Sequence, residues 1–425
     1  MDKLLHRMRF LLTPVGSYGD INPFVAVGHG LKERGHEVIV LAPEPFAESI
    51  GRAGLEFVSS STSEEFQQII ENSDLWDPWN GMSVVLRGVA SRLRENYRTL
   101  ESLYLENETV LVGHSLSLAT RVLEDVKGCP AATVHLAPFA FRSENDQPAL
   151  APGRDFSGSP RWAKRLFWRM ADSLFADPPI RSDLNRLRKS LGLKSVDRIF
   201  NEWFHSPQRI IGLFPNWFAK AQPDWPVRLR LTGFVFGGRI GLQPLDSQLE
   251  AFLEEGDSPV VITPGSANQH ASRLIEASID AANMLNRRLV VVTPFRDQMP
   301  ASTPKEVFHA ERGAFSVLFP RCAAVVHHGG IGTCAEALAA GIPQVVVPFG
   351  FDQPDNATRL QRLGVGKFLD VDRMSHIRIA ELLKELLQSE SVTEACAHYA
   401  EELRSDSAVD DAVDALEALI GIKNR

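Results

Sequence analysis

The sequence predicts an α/β protein in which two parallel, doubly wound sheets face each other across a cleft. Three observations carry this expectation. The chain has 425 residues, enough to bury two separate cores. In each half, short apolar runs alternate with helical segments, the pattern of parallel strands joined by crossover helices. Between the halves, the stretch from Gly233 to Leu245 is rich in glycine, carries Gln243-Pro244, and reads as a linker.

The first strand is RFLLTPV, beginning at Arg9. A turn from Gly16 to Asp20 leads to a helix expected over Pro23 to Arg34, since proline is tolerated near a helix start and Gly35 can end it. Further strands are expected at Glu37–Leu41, Leu55–Val58, Thr109–Val112 and Ala132–Leu136. From Pro259 the logic repeats, with VVIT, a helix, LVVVT and then a long apolar and glycine-rich block. Acidic helices over Val392–Ile420 show apolar periodicity and are expected to pack back on the body. The resulting division is 1–238, 239–390 and 391–425, with small-molecule chemistry in the cleft between the first two units.

Composition narrows the classes. A net charge of −8 argues against nucleic acid as a partner. The four cysteines, Cys129, Cys322, Cys334 and Cys396, form no C-x-x-C pair, so a disulfide frame or a zinc site is not expected and a cytoplasmic setting is. No stretch approaches the roughly 20 apolar residues of a membrane span.

The block from Val325 to Asn356 reads VVHHGGIGTCAEALAAGIPQVVVPFGFDQPDN. It divides into a strand, a Gly-rich turn, a helix, a Gly341-Ile342-Pro343 break, a second strand and a polar loop. A helix start offers unpaired backbone N–H groups and the positive end of the macrodipole, so phosphate is favoured there. Gly330 and Gly332, flanking Ile331, remove the Cβ atoms that would keep a diphosphate from the backbone. Thr333 adds a hydroxyl, and His328 can donate to a phosphate oxygen. Glu336 lies about one turn deeper, where a carboxylate can accept from ribose hydroxyls. Asp352 and Gln353 open at the same carboxyl edge of the sheet and suit sugar hydroxyls.

This ordered set resembles the nucleotide-sugar signature of the two-domain glycosyltransferases, the superfamily of the plant and macrolide UDP-glycosyltransferases. The resemblance implies the GT-B fold, two Rossmann-like parallel-sheet domains with an inter-domain cleft. It assigns His328, Gly330, Gly332 and Thr333 to the diphosphate, Glu336 to the ribose, and Asp352 with Gln353 to the donor sugar. Ser266, in Pro264-Gly265-Ser266 after VVIT, matches a Gly-Ser turn that approaches the diphosphate. Plant relatives stack uracil on a Trp in a W-x-x-Q element; the corresponding residues here are Glu311-Arg312-Gly313-Ala314, so thymidine and uridine both stay open as the donor's nucleoside.

The turn after the first strand, Gly16-Ser17-Tyr18-Gly19-Asp20, should face the donor block. Many relatives carry a catalytic His at the position of Asp20; the Asp found here occurs in sterol, glycopeptide and rhamnolipid branches. A carboxylate of ordinary pKa about 3.9 is a poor base in water, but partial burial raises it. The competing reading makes Asp20 a helix N-cap. His114, after TVLVG, can assist Asp20, contact the acceptor, or be structural. Ser17, Tyr18, Trp76 and Trp162 are the expected acceptor contacts.

Between Trp76 and Trp225 polar and aromatic segments interrupt the strand pattern. Residues 153–159 read as a mobile loop. Trp162, Phe167, Trp168 and Met170 then recur at roughly helical spacing beside Arg161, Lys164, Arg165 and Arg169. Three readings stand: an acceptor wall, a basic amphipathic face touching membrane from the cytoplasmic side, or a core-facing stripe with a solvated basic face. Leu75-Trp76-Asp77-Pro78, Arg198-Ile199-Phe200, His205-Ser206-Pro207-Gln208, Leu213-Phe214-Pro215 and Asp224-Trp225-Pro226 resemble the rhamnosyltransferase branch that serves rhamnolipid synthesis. That likeness implies a dTDP-linked deoxysugar, a hydroxy-fatty-acyl acceptor and a partner supplying the lipid.

The expected function is therefore an inverting, metal-independent glycosyl transfer to a lipid-like hydroxyl, rhamnose favoured. The donor block has no acidic D-x-D triplet, no cofactor is expected, and the nucleotide sugar is a substrate. UDP-glucose-dependent transfer to a sterol or natural product is the alternative. A sugar-nucleotide epimerase or a non-catalytic partner subunit are the readings from other classes.

Overall fold

The computed structural model describes residues 7–77, 80–150, 158–240, 244–405 and 407–420. The loop expected at 153–159 falls, up to residue 157, outside the described residues.

The N-terminal lobe holds a seven-stranded sheet of β1 (Arg9–Thr13), β2 (Glu37–Ala42), β3 (Glu56–Ser59), β4 (Thr109–His114), β5 (Ala131–His135), β6 (Ile210–Gly212) and β7 (Leu229–Leu231). Its order is β3-β2-β1-β4-β5-β6-β7, all parallel. The C-terminal lobe holds β8 (Val260–Thr263), β9 (Leu289–Val292), β10 (Val307–Ala310), β11 (Ala324–His327), β12 (Gln344–Val346) and β13 (Gly366–Phe368), in the parallel order β10-β9-β8-β11-β12-β13. Both sheets match the predicted class. The sequence pattern missed β6, β7, β10 and β13. These are short, and three of them are edge strands, less buried than the apolar centres of either sheet.

Each sheet reverses its strand order once, between β1 and β4 and between β8 and β11. In open α/β sheets the crevice at such a reversal, on the carboxyl side, receives ligands. Asp20 in the first turn of the helix after β1, His114 at the end of β4, and Ser266 and His328 in the turns after β8 and β11 all lie at these carboxyl edges.

Helix α1 (Tyr18–Glu33) begins five residues earlier than the proline suggested, because Ser17 caps it and the Asp20 side chain accepts from the Ser17 backbone N–H at 2.7 Å. Pro23 thus sits inside the helix, and the Gly19 carbonyl loses the N–H that would otherwise reach it. The other helices needed below are α2 (Arg161–Ala171), α3 (Ile331–Ala340), α4 (Gln353–Arg362) and α5 (Ala408–Glu417).

Two apolar layers flank each sheet, and a further cluster spans both lobes. In that cluster Phe141, Phe214, Phe218, Trp225 and Phe234 pack with Cys334, Leu338 and Leu360. The back of α3 is therefore seated on the N-terminal lobe. Helix α5 returns to the first lobe, where Ala412, Val413 and Leu416 join the core under α1, and Arg34 pairs with Asp410, Asp414 and Glu417. All four cysteines are free and buried.

The linker also touches α1 closely. A Cβ on Gly237 would lie 1.8 Å from the Asn22 carbonyl oxygen, whereas one on Gly238 would meet nothing within 4 Å. Gly237→Ala is expected to cost about 1–3 kcal/mol in thermal or denaturant unfolding, and Gly238→Ala to change little.

Candidate functional site

The Gly-rich turn is held from below by a residue the sequence reading passed over. His327, fully buried, accepts the Gly329 N–H at 3.1 Å on Nδ1, which leaves Nε2 to donate to Gln344 Oε1 at 3.0 Å. Asn356, also fully buried, donates to the Gly329 carbonyl at 2.9 Å and to Asp352 Oδ2 at 2.8 Å. The turn and the polar loop after β12 are thus one braced unit. In a doublet of histidines, sequence alone gives no sign of which ring braces and which faces the cleft.

His328 is the ring that faces the cleft. It is sandwiched between two glycines: a Cβ on Gly265 would approach the ring to 2.8 Å, and one on Gly330 to 2.5 Å. Its Nδ1 is buried with no hydrogen-bond partner among the described residues. Burial lowers its pKa to about 4, against the Thr263 backbone contact that raises it, so the ring is neutral at pH 7. Gly330 caps α3, and Ile331, Gly332 and Thr333 supply the first turn with its free N–H groups. Glu336 lies one turn further along and is half-buried. Ser266 is exposed in the turn after β8.

Gln353 does not offer its whole amide to the cleft. Its Oε1 accepts from Phe349 N–H at 2.8 Å and Gly350 N–H at 3.2 Å, shaping the loop, so only the NH₂ end remains for a ligand. Asp352 precedes it at the start of α4. Burial pushes its carboxyl up to about 7, the Asn356 bond pulls it down, and the charge of Asp20 raises it further.

That last effect places the two lobes' carboxylates in one field. Helix α1 meets α3 end to end: a Cβ on Gly332 would be 3.9 Å from the Gly19 Cα. Burial pushes Asp20 up to about 6, against its two bonds from Ser17. Asp20 is the third residue of α1, so the N-cap role falls to Ser17. Among the described residues only Oδ2 is engaged, by Ser17, and Oδ1 has no hydrogen-bond partner. Gly16, at a φ of 134°, makes room for this carboxylate; a Cβ there would be 2.1 Å from Oδ2.

No hydrogen bond joins His114 to Asp20 among the described residues. Its Nδ1 accepts the Leu116 N–H at 3.2 Å, its ring lies edge-on to Phe24, and burial lowers it to about 4. Behind it, fully buried His135 has both ring nitrogens unpartnered among the described residues. Tyr18 stands edge-on to Phe46 at 4.7 Å. Trp76 reaches across the lobes, edge-on to Phe349 at 6.3 Å and Phe351 at 5.8 Å in the loop before Asp352. Trp162 is not gathered into this aromatic group. It is 70% exposed on α2.

A further contact was not visible in sequence. Arg359 of α4, 4% exposed, pairs with Asp355 and with Asp146 of the N-terminal lobe, and the Ala149 N–H donates to Asp355 at 3.0 Å. Ion pairs between residues so far apart leave no local pattern to read.

Fold and site together define a glycosyltransferase of the GT-B fold. Residues 10–95 match the glycosyltransferase family 28 N-terminal domain, and residues 276–419 match the C-terminal domain of erythromycin biosynthesis protein CIII-like proteins. The chain belongs with the UDP-glycosyltransferase family of two-domain enzymes. It is 29% identical over 415 residues to O-mycaminosyltylonolide 6-deoxyallosyltransferase of Streptomyces fradiae, covering 95% of this chain and 96% of that one. A sterol 3-beta-glucosyltransferase of Arabidopsis thaliana is 26% identical, covering 96% of this chain and 65% of the other. Among solved structures, the spinosyn rhamnosyltransferase SpnG superposes with a TM-score of 0.68 at 20% identity, covering 97% and 100% of the two chains, and is also known complexed with thymidine diphosphate.

Two glycines separate packing from binding. Gly332→Ala adds a methyl to a free helix end and is expected to leave thermal stability near wild type while weakening nucleoside-diphosphate affinity roughly tenfold or more by calorimetry. Gly330→Ala, which displaces the His328 ring, is expected to lose both.

Proposed function

We propose that the chain transfers a hexose or deoxyhexose, with rhamnose the favoured sugar, from a thymidine- or uridine-diphosphate donor to a hydroxyl of an apolar acceptor such as a hydroxy-fatty acid. The reading rests on one observation: a carboxylate with a free oxygen and a pKa near 6, Asp20, stands opposite Asp352 at the facing starts of α1 and the donor loop. Asp20 accepts the acceptor's proton as the hydroxyl oxygen attacks the anomeric carbon. The bond from that carbon to the diphosphate oxygen breaks, and its electron pair leaves with the nucleotide. One displacement inverts the anomeric configuration, and Asp20 then returns its proton to water.

The leaving diphosphate is met by the N–H groups of Gly332 and Thr333 and by His328. Since His328 is neutral, it acts as a hydrogen-bond donor, and an arriving diphosphate would draw it towards the charged form. We propose that these groups take the part a divalent cation takes in other transferases, with no cofactor. Thr333 and Glu336 face the nucleotide, Asp352 and the Gln353 NH₂ hold the sugar, and Ser17, Tyr18 and Trp76 border the acceptor. A thymidine donor is supported by the missing Trp platform at residues 311–314 and by the thymidine diphosphate held by a structural relative. The second reading, glucosyl transfer to a sterol, is supported by the sterol glucosyltransferase among the relatives.

A thermal-shift panel of UDP- and dTDP-sugars separates the two, the larger stabilisation marking the donor. Asp20→Asn is expected to lower turnover by about 10²–10⁴ with donor affinity near wild type; retained turnover would remove Asp20 as the base.

The same substitution has a stability signature. A carboxyl whose folded pKa is raised favours the native state below its unfolded pKa of about 3.9 and loses that contribution as pH rises through about 6. Asp20→Asn is therefore expected to melt higher than wild type at pH 7.5, with the difference closing by pH 4.5.

A further inference from the structure

The outward face of α2 has no counterpart in the catalytic account. Trp162, Leu166 and Met170 recur every four residues, and Leu174 continues the row into the π-helical turn Asp172–Ala176, with Phe175 beside it. Their exposures are 70%, 50%, 52%, 61% and 66%, in that chain order with Phe175 last. Five large apolar side chains thus lie open on a single stripe, where scattered single ones would need no explanation.

The flanks of the stripe are basic. Arg161, Arg165 and Arg169 are all exposed along its edge. Helix α2 contains no acidic residue. The nearest acids that follow, Asp172 and Asp177, are buried; Asp172 pairs with Arg142. Of the acids packed against the helix, Glu144 is tied to Arg165. The inward face is fully used, with Lys164 and Trp168 buried and Trp168 stacked under the Arg142 guanidinium at 4.2 Å. On a chain of net charge −8, this local patch has the opposite sign.

We propose that this face docks the protein on an anionic lipid bilayer, with α2 lying in the plane of the interface. An apolar row inserted at headgroup depth, bordered by arginines that meet lipid phosphates, is the arrangement of an interfacial helix. No helix among the described residues is long and apolar enough to span, so the association is peripheral. The patch also communicates with the cleft. Arg161 and Lys164 hold Asn145 and Glu144, and the next residues of that loop, Asp146 and Ala149, bind α4, which begins at Gln353. Docking would leave the cleft beside the bilayer, a suitable position for an apolar acceptor; that clause rests on the proposed acceptor class, whereas membrane binding itself does not.

Flotation with vesicles tests it. The full chain is expected to float with phosphatidylglycerol–phosphatidylcholine vesicles, much less with phosphatidylcholine alone, and to be released by high salt. Leu166→Glu with Leu174→Glu, and separately Arg161→Glu with Arg169→Glu, are each expected to cut the bound fraction about tenfold or more while keeping wild-type melting temperature. Trp162 emission should shift to the blue on vesicle addition, and the shift should vanish in Trp162→Phe. Failure of the wild type to float with anionic vesicles overturns the proposal. So would unchanged flotation of both variants, or a dimer in sedimentation equilibrium that Leu166→Glu disperses without any vesicle binding. None of these outcomes depends on donor binding or turnover.

Discussion

The meeting of two helix starts, α1 from one lobe and α3 from the other, is the constraint on which the rest depends. A Cβ on Gly332 would stand 3.9 Å from the Gly19 Cα, ordinary contact distance, and the back of α3 is clamped in the apolar cluster that joins the lobes. Two positive helix ends therefore share one dry crevice, a setting that favours bound anion. Burial makes the carboxylates placed beside them hard to ionise, against the helix ends, which favour the charged form. Asp20 and Asp352 are each pushed upward, and each is fixed by a bond to its own lobe, Ser17 for one and Asn356 for the other.

We propose that Asp20 combines roles that sequence reasoning treats as rivals. A capping carboxylate is normally a local device, and a general base is a chemical one. Here the capping contact uses Oδ2 and aims the remaining oxygen, so the structural bond orients the reactive group. Gly16 is required for the same reason, since any side chain there would occupy the space of the carboxylate.

The centre of each sheet and the donor block were legible because they depend on local patterns: buried parallel strands read as apolar runs, and a Gly-rich turn before a helix announces an anion site. The edge strands β7, β10 and β13 were not, being short and mixed in polarity. The start of α1 was misplaced because proline was given more weight than the Ser17–Asp20 pair that closes the first turn. What joins the lobes left no trace: Asp146 with Arg359 and Trp76 against Phe351 are contacts between positions whose spacing has no period, and so, within the C-terminal lobe, is the bracing of Gly329 by Asn356. Trp162 shows the opposite failure, a helical aromatic pattern that reads equally as core, acceptor wall or outer surface until burial is known.

The central claim is that burial between the lobes raises Asp20, the base we propose, and that its charge in turn raises Asp352. The pH dependence of kcat/KM for wild type and Asp352→Asn measures it most directly. The account predicts an acid limb near pH 6 in the wild type that stays there in Asp352→Asn, because burial and not the facing charge raises Asp20, even as KM for the donor rises. An acid limb at the ordinary carboxylate value of about 4 in both proteins would contradict it.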